Sequence, residues 1–226
     1  MTWERKRVLV TVKAYPEKSK KHGAVVCTAG LTEEGEWIRL YPLPFSLFLK
    51  NKVSKYDWIE VVCRKSTDEK LKRKESYKVR PDSIKVIDST ARKHKKKWEL
   101  RNEIILKNMA PSLEYLQESF KEDRTSLGLI KPVEVIDFYK TDELEVYEEK
   151  SWFQYTLDGG KTPVLTEIPH IFKYKFRCDG CTEGMHDIQC EDWELLESYR
   201  KWGRRYTDVG VLWEKIYEKY LEWMKT

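Results

Sequence analysis

Apolar and polar residues alternate with a period of two over much of the first 90 residues, which predicts strands rather than helices. Val8 to Lys13 reads as one strand, ended by Tyr15-Pro16. Ala24 to Ala29 and Glu36 to Tyr41 read as two more, and Thr32-Glu-Glu-Gly35 between them has the composition of a hairpin turn. Asp57 to Arg64, Ser76 to Val79 and Ser83 to Asp88 continue the series. Short strands at this spacing predict a strongly curved sheet or a small β-barrel.

The period then changes. Trp98, Leu100, Ile104, Ile105 and Met109 give a helical stripe that stops at Pro111, and Leu113, Leu116 and Phe120 fit a second helix starting at Ser112. Val133 to Tyr139 and Ile171 to Arg177 return to alternation, with a turn expected at Asp158-Gly159-Gly160. Asp192 can cap a helix through Trp193, Leu196 and Tyr199, with Gly203 just past its end. Thr207 or Asp208 can cap a last helix, along which Val209, Leu212, Trp213, Ile216, Tyr217, Tyr220 and Leu221 form a wide apolar stripe. Such a stripe suits a core or a subunit contact. The expected fold class is α+β, and no linker composition divides the chain. The simplest organisation is one compact domain over residues 1–226: β-rich to 90, a helical insertion over 91–130, then strands, a Cys/His turn and C-terminal helices.

Composition changes this picture in one respect. Charged residues make up 36% of the chain, 43 basic against 38 acidic, while Gln and Asn are scarce. Hydrating ions becomes less favourable as temperature rises, so burying or pairing them costs less, and side-chain amides degrade faster. A Lys/Glu-rich, amide-poor chain therefore reads as thermophilic. The net charge of +5 is too small to indicate nucleic acid by itself, so the distribution of basic residues has to carry that argument. No apolar run approaches the roughly 18 residues of a membrane span, and Val8 to Val12 is too short for a signal-peptide core. A cytoplasmic location is the expectation.

Five cysteines are present. Cys27 and Cys63 sit in strand-like runs, where a buried thiol is a small hydrophobe. The other three form C-x2-C-x4-H-x3-C: Cys178, Cys181, His186 and Cys190. Two thiolates a tight turn apart can grip one ion, and an imidazole and a third thiolate can complete a tetrahedron, for which Zn2+ is the natural occupant. Four protein ligands would close the site and make it structural, whereas three would leave a position for water. The spacing resembles a zinc knuckle, but with three residues instead of four before the last cysteine. A Cys178–Cys181 disulfide is the alternative, with His186 capping or hydrogen-bonding.

Three further groups of residues bear on partners. In the strand Glu36 to Tyr41, Ile38 and Leu40 face one side and Trp37, Arg39 and Tyr41 the other. Aromatic rings flanking a guanidinium on a sheet can stack bases and hold a phosphate; equally, a covering helix can bury them. Basic runs at Lys18 to His22 (with Lys20 and Lys21), Arg64 to Arg80, and Arg92 to Lys97 (with Lys95, Lys96 and Lys97) can neutralise phosphates or simply form a solvated surface. Asp187, Glu191, Asp192 and Glu194 lie near His186 and could serve a metal-dependent hydrolase, with Asp192 and Glu194 as catalytic candidates. Helix capping and the helix dipole explain the same acids. No P-loop, dinucleotide fingerprint, G-x-S-x-G or deaminase motif is present.

At Lys13-Ala-Tyr-Pro16, Val26-Cys-Thr-Ala-Gly30, Trp37 to Phe45 (WIRLYPLPF), Arg73 to Tyr77, Ser126-Leu-Gly128 and His186 with Asp192-Trp-Glu194, the chain resembles a group of bacterial and archaeal proteins with no established activity. The resemblance spans most of the chain. It implies relatedness and no mechanism, and it draws attention to Arg39, Tyr41, Glu75, Cys178, His186, Asp192 and Glu194 as residues a site would bring together. The expected function is nucleic-acid binding, in processing or defence, with a structural metal. The alternatives are a metal-dependent nuclease or nucleotide hydrolase, and a protein-interaction module that forms homo-oligomers through the C-terminal helix.

Overall fold

A computed structural model describes residues 2–19, 23–49, 53–67, 73–141, 154–155, 161–162, 168–182 and 184–225. The turn expected at Asp158 to Gly160 lies outside the described residues. The chain divides into two compact units, the first holding Met1–Lys131 with Cys178–Glu183, the second Pro132–Arg177 with Gly184–Thr226. No linker marks this division: the first boundary falls where a strand begins, and the second is a turn. That is why the sequence reads as one unit.

The first unit is a barrel. Its strands are β1 (Glu4–Lys13), β2 (Glu17–Ser19), β3 (Gly23–Thr32), β4 (Trp37–Pro44), β5 (Trp58–Lys65), β6 (Ser76–Val79) and β7 (Lys85–Asp88). The neighbour order is β1-β3-β4-β6-β5, and β5 pairs back on β1, so five strands close on themselves. β4 and β6 run parallel; the other barrel pairings are antiparallel. β7 adds to β5, and β2 to β3. A short helix, α1 (Ser46–Leu49), joins β4 to β5.

Closure follows from the alternation. Val8, Val10, Ile38, Leu40, Ile59, Val61 and Cys63 are at most 1% exposed, each two residues from the next on its strand. Every such side chain withdrawn from water contributes about 1.5–3 kcal/mol before entropy is counted. Gly30 permits the close approach of β1 and β3, because a Cβ there would stand 2.0 Å from the Leu9 carbonyl oxygen.

After the barrel come α2 (Thr90–Lys93), α3 (Lys97–Ile105) and α4 (Leu113–Asp123). Of the apolar stripe expected along this insertion, Leu100, Ile104 and Ile105 are half-buried. Trp98 is 60% exposed and Met109 45%, while the buried residue of α3 is Arg101. Its guanidinium lies 3.6 Å from the Tyr56 ring centroid and 4.5 Å from that of Trp98, and Nε donates to the Ala91 carbonyl. Cation–π contact supplements the half-buried aliphatic residues of this helix.

The second unit holds β8 (Pro132–Thr141), β9 (Gln154–Tyr155), β10 (Lys161–Thr162), β11 (Ile171–Cys178), β12 (His186–Gln189), α5 (Trp193–Gly203) and α6 (Val209–Lys225). β12, β11 and β8 form one sheet, and β9 and β10 pair separately. Phe138 and Phe172 stack at 6.0 Å, with Tyr174 and Trp213 also against Phe138. Leu212, Ile216 and Tyr220 are buried, so most of the C-terminal stripe serves this core; Val209 and Trp223 stay exposed. The buried phenols find partners: Tyr174 donates to the Tyr220 carbonyl and Tyr220 to the Glu194 carbonyl. Among the described residues no helix is long and apolar enough to cross a membrane.

Candidate metal site and barrel face

The β11–β12 turn carries the cysteine pair. Phe176 pairs with His186, so the strands bring His186 back alongside the start of the turn at Cys178. Gly180, at φ +72°, supplies the left-handed residue that tightens it. Cys178 and Cys181 are joined in a disulfide, with Cα atoms 5.5 Å apart. The turn is anchored within the first unit at the N-terminus of α4: Leu113 N–H donates toward Cys178 Sγ, and Thr182 N–H donates to Glu114 Oε1 at 3.2 Å. Ser112 caps that helix through the Tyr115 amide, as the sequence suggests.

Glu114, Cys178, Cys181 and His186 each offer a ligand atom, and these atoms all lie within 4.8 Å of one another. Such a group can hold a metal ion. A tetrahedral ion with bonds of about 2.0–2.3 Å sets its ligand atoms about 3.3–3.8 Å apart, which small rotamer changes would reach. The donor chemistry fits a borderline-soft ion, with one condition: bonded sulfurs are not thiolates. Reduction must precede coordination. Cys190 is not brought to the group. It follows β12 at the far end of the hairpin, where its N–H donates to the Phe172 carbonyl. Glu114, 64 residues before Cys178, is the member that spacing could not reveal.

On the barrel, β4 presents its residues as alternation requires. Ile38 and Leu40 point inward; Trp37, Arg39 and Tyr41 are half-buried on the outer side. Arg39 Nε donates to Cys27 Sγ at 3.1 Å, an Nη lies 3.5 Å from Ser76 Oγ, and the guanidinium carbon sits 4.8 Å from the Tyr41 ring centroid. The backbone N–H of Arg39 donates to the Glu75 carbonyl. Arg39, Tyr41 and Glu75 are therefore one cluster, and Cys178 and His186 another.

Asp192 is used otherwise: its Oδ1 accepts from the amides of Glu194 and Leu195, capping α5. Neither it nor Glu194 enters a metal-ligand group among the described residues. Of the basic residues, Arg92 is committed to the fold through Nε–Asp57 Oδ1 at 2.7 Å, with Asp57 1% exposed. Lys95, Lys96 and Lys97 are exposed; Lys96 also lies 3.3 Å from Glu99. Lys20 and Lys21 lie outside the described residues.

Fold and site together define an α+β protein with a closed five-stranded barrel and a Glu/Cys/Cys/His group able to hold a metal. Residues 108–226, more than half of the chain, match the family model described as Domain of unknown function (DUF8757), and the chain belongs to that family. Residues 4–107 match Domain of unknown function (DUF8758). The family boundary after residue 107 precedes α4, so α4 and the turn it anchors belong to the same family segment. No curated protein matches the chain.

Proposed function

We propose that this protein binds single-stranded nucleic acid on the outer face of β3 and β4, with zinc as a structural ion in the reduced β11–β12 turn. The carrying observation is the outward row Trp37, Arg39 and Tyr41 on a strand of a closed barrel. Numbered along the barrel alone, the strand order is 1-2-3-5-4-1 with strands 3 and 5 parallel. This is the arrangement of oligonucleotide- and oligosaccharide-binding barrels, whose strand 2–3 face takes the ligand; β3 and β4 are those strands here. Half-buried rings stack bases at low entropic cost, and a guanidinium already fixed by Cys27 and Tyr41 loses little freedom on meeting a phosphate.

Zinc suits two thiolates, an imidazole and a carboxylate, and four protein ligands leave no open position, which supports a structural role. A hydrolase built on Asp192 and Glu194 has less support, because Asp192 is spent on the helix cap.

Fluorescence anisotropy with a labelled single-stranded oligonucleotide of about ten nucleotides, within the range one such barrel covers, tests the reading. Binding should weaken steeply with salt. It should fall about tenfold in Trp37→Ala, the scale of one lost base stack, with the oligonucleotide uncut. Absence of binding at low salt would overturn it.

A further inference from the structure

Beside Trp37 the first unit contains a cavity of about 290 Å³, lined by Glu36, Trp37, Lys65, Glu75, Tyr77 and Leu127, among others. Its floor is unusual. Glu75 is 5% exposed, and its two carboxylate oxygens are treated differently. Oε1 accepts from both the amide and the hydroxyl of Ser126, whereas Oε2 is buried with no hydrogen-bond partner. Leaving a buried acceptor unmet costs about 1–3 kcal/mol, more when it is charged, so such a group is retained where something else supplies the donor.

The surroundings restrict what that donor belongs to. Trp37 and Tyr77 offer aromatic surface, and Lys65 and Lys74 offer positive charge. Lys65 Nζ lies 4.6 Å from the Tyr77 ring centroid, and Lys74 pairs with Asp123 at the rim. Lys65 stands in the field of Glu75 and Glu36, so the cavity favours a ligand that brings a phosphate to the lysine and a donor to Glu75 over a neutral sugar. The volume lies at the lower bound of small-ligand pockets, which suits a single base rather than a longer ligand.

We infer that this cavity takes one nucleobase of the bound strand, and that Glu75 selects bases with an exocyclic amino group. The inference rests on the nucleic-acid reading above and deepens it. The amino N–H donates to Glu75 Oε2, the ring lies against Trp37 or Tyr77, and the adjoining phosphate meets Lys65 or Lys74. A carbonyl at the same ring position places two acceptors against each other. Cytosine and uracil isolate this difference on one ring size, since C4 carries an amino group in the first and a carbonyl in the second.

Anisotropy with oligocytidylate and oligouridylate, using the full chain, tests it. The wild type should bind the cytidine strand about tenfold more tightly, the discrimination expected from a directed contact to a base edge. Glu75→Gln keeps an acceptor for Ser126 and turns the other arm into a donor, so the preference should vanish or invert. Leu127→Trp fills the cavity and leaves the Glu75 carboxylate itself in the chain; it should abolish the preference and keep the uridine affinity. Equal affinities in the wild type, or a preference that survives Leu127→Trp, would overturn the inference and leave face binding intact. Binding of neither strand would remove the underlying reading too, as would tighter binding of a neutral oligosaccharide.

Discussion

Cys178 and Cys181 are bonded to each other in the same turn whose sulfurs, once reduced, stand with Glu114 and His186 as ligands for one ion. The two states exclude one another. The oxidised turn is closed by a covalent bond, and the reduced turn can be closed by a metal. Purified protein should therefore bind no zinc in this turn until a dithiol reductant is added, and should then take up one equivalent. Elemental analysis and free-thiol titration check this together. His186→Ala or Glu114→Ala should weaken uptake by tenfold or more, while Cys190→Ser should leave it unchanged.

The buried carboxylate of Asp57 organises the end of the barrel. Oδ2 accepts from the Ser54 amide, and Oδ1 from Ser89 Oγ and Arg92 Nε. Asp57→Ala strands these donors, and urea unfolding should show a loss of about 3 kcal/mol. Arg92→Ala should destabilise as well, with oligonucleotide affinity little changed at temperatures where the variant is folded, because Arg92 Nε is already held by the buried Asp57 carboxylate.

Arg101 tests how much cation–π contact contributes to the packing of α3. Lys keeps the charge but not the planar group that lies against the Tyr56 and Trp98 rings, nor the directed Nε bond to Ala91. Arg101→Lys should cost about 1–2 kcal/mol in denaturant unfolding. No measurable change would show that the stack contributes charge alone.

Acid stability should depend on Asp123. Hydrogen bonds from Lys74 and Thr125 hold its carboxyl down at about 2, against an ordinary value of 3.8. A depressed carboxylate contributes stability that is complete above the unfolded-state value and is lost as pH falls through the folded-state value. Asp123→Asn should flatten the stability–pH curve between about pH 4 and pH 2, and leave its shape near neutrality unchanged. A curve identical to the wild type in that window would mean the contact is not maintained in solution.

The barrel was legible because alternation is local. Ile38 and Leu40 against Trp37, Arg39 and Tyr41 sort themselves from one strand's pattern, and the expected Ser76 to Val79 strand coincides with β6. Which strands close the barrel was not legible, since the β1–β5 pairing joins residues 49 to 59 positions apart. The helical stripe at Trp98 was legible only in part: Leu100, Ile104 and Ile105 are half-buried, whereas Trp98 and Met109 stay exposed and the buried residue of the helix is Arg101, beside the Tyr56 and Trp98 rings. In the site, Cys178, Cys181 and His186 share one short turn and were readable by spacing. Glu114 comes from another element, and Cys190 had the right chemistry at the wrong end of a strand.

Nucleic-acid contact at the β4 face is the central claim, and photo-crosslinking locates it most directly. The wild-type chain is irradiated with a photoreactive single-stranded oligonucleotide, digested, and the adducted peptide identified by mass spectrometry. Adducts should fall on Trp37 or Tyr41 and disappear when excess unlabelled strand competes. Adducts confined to Lys95 to Lys97, or none above the level of a non-binding control protein, would contradict it.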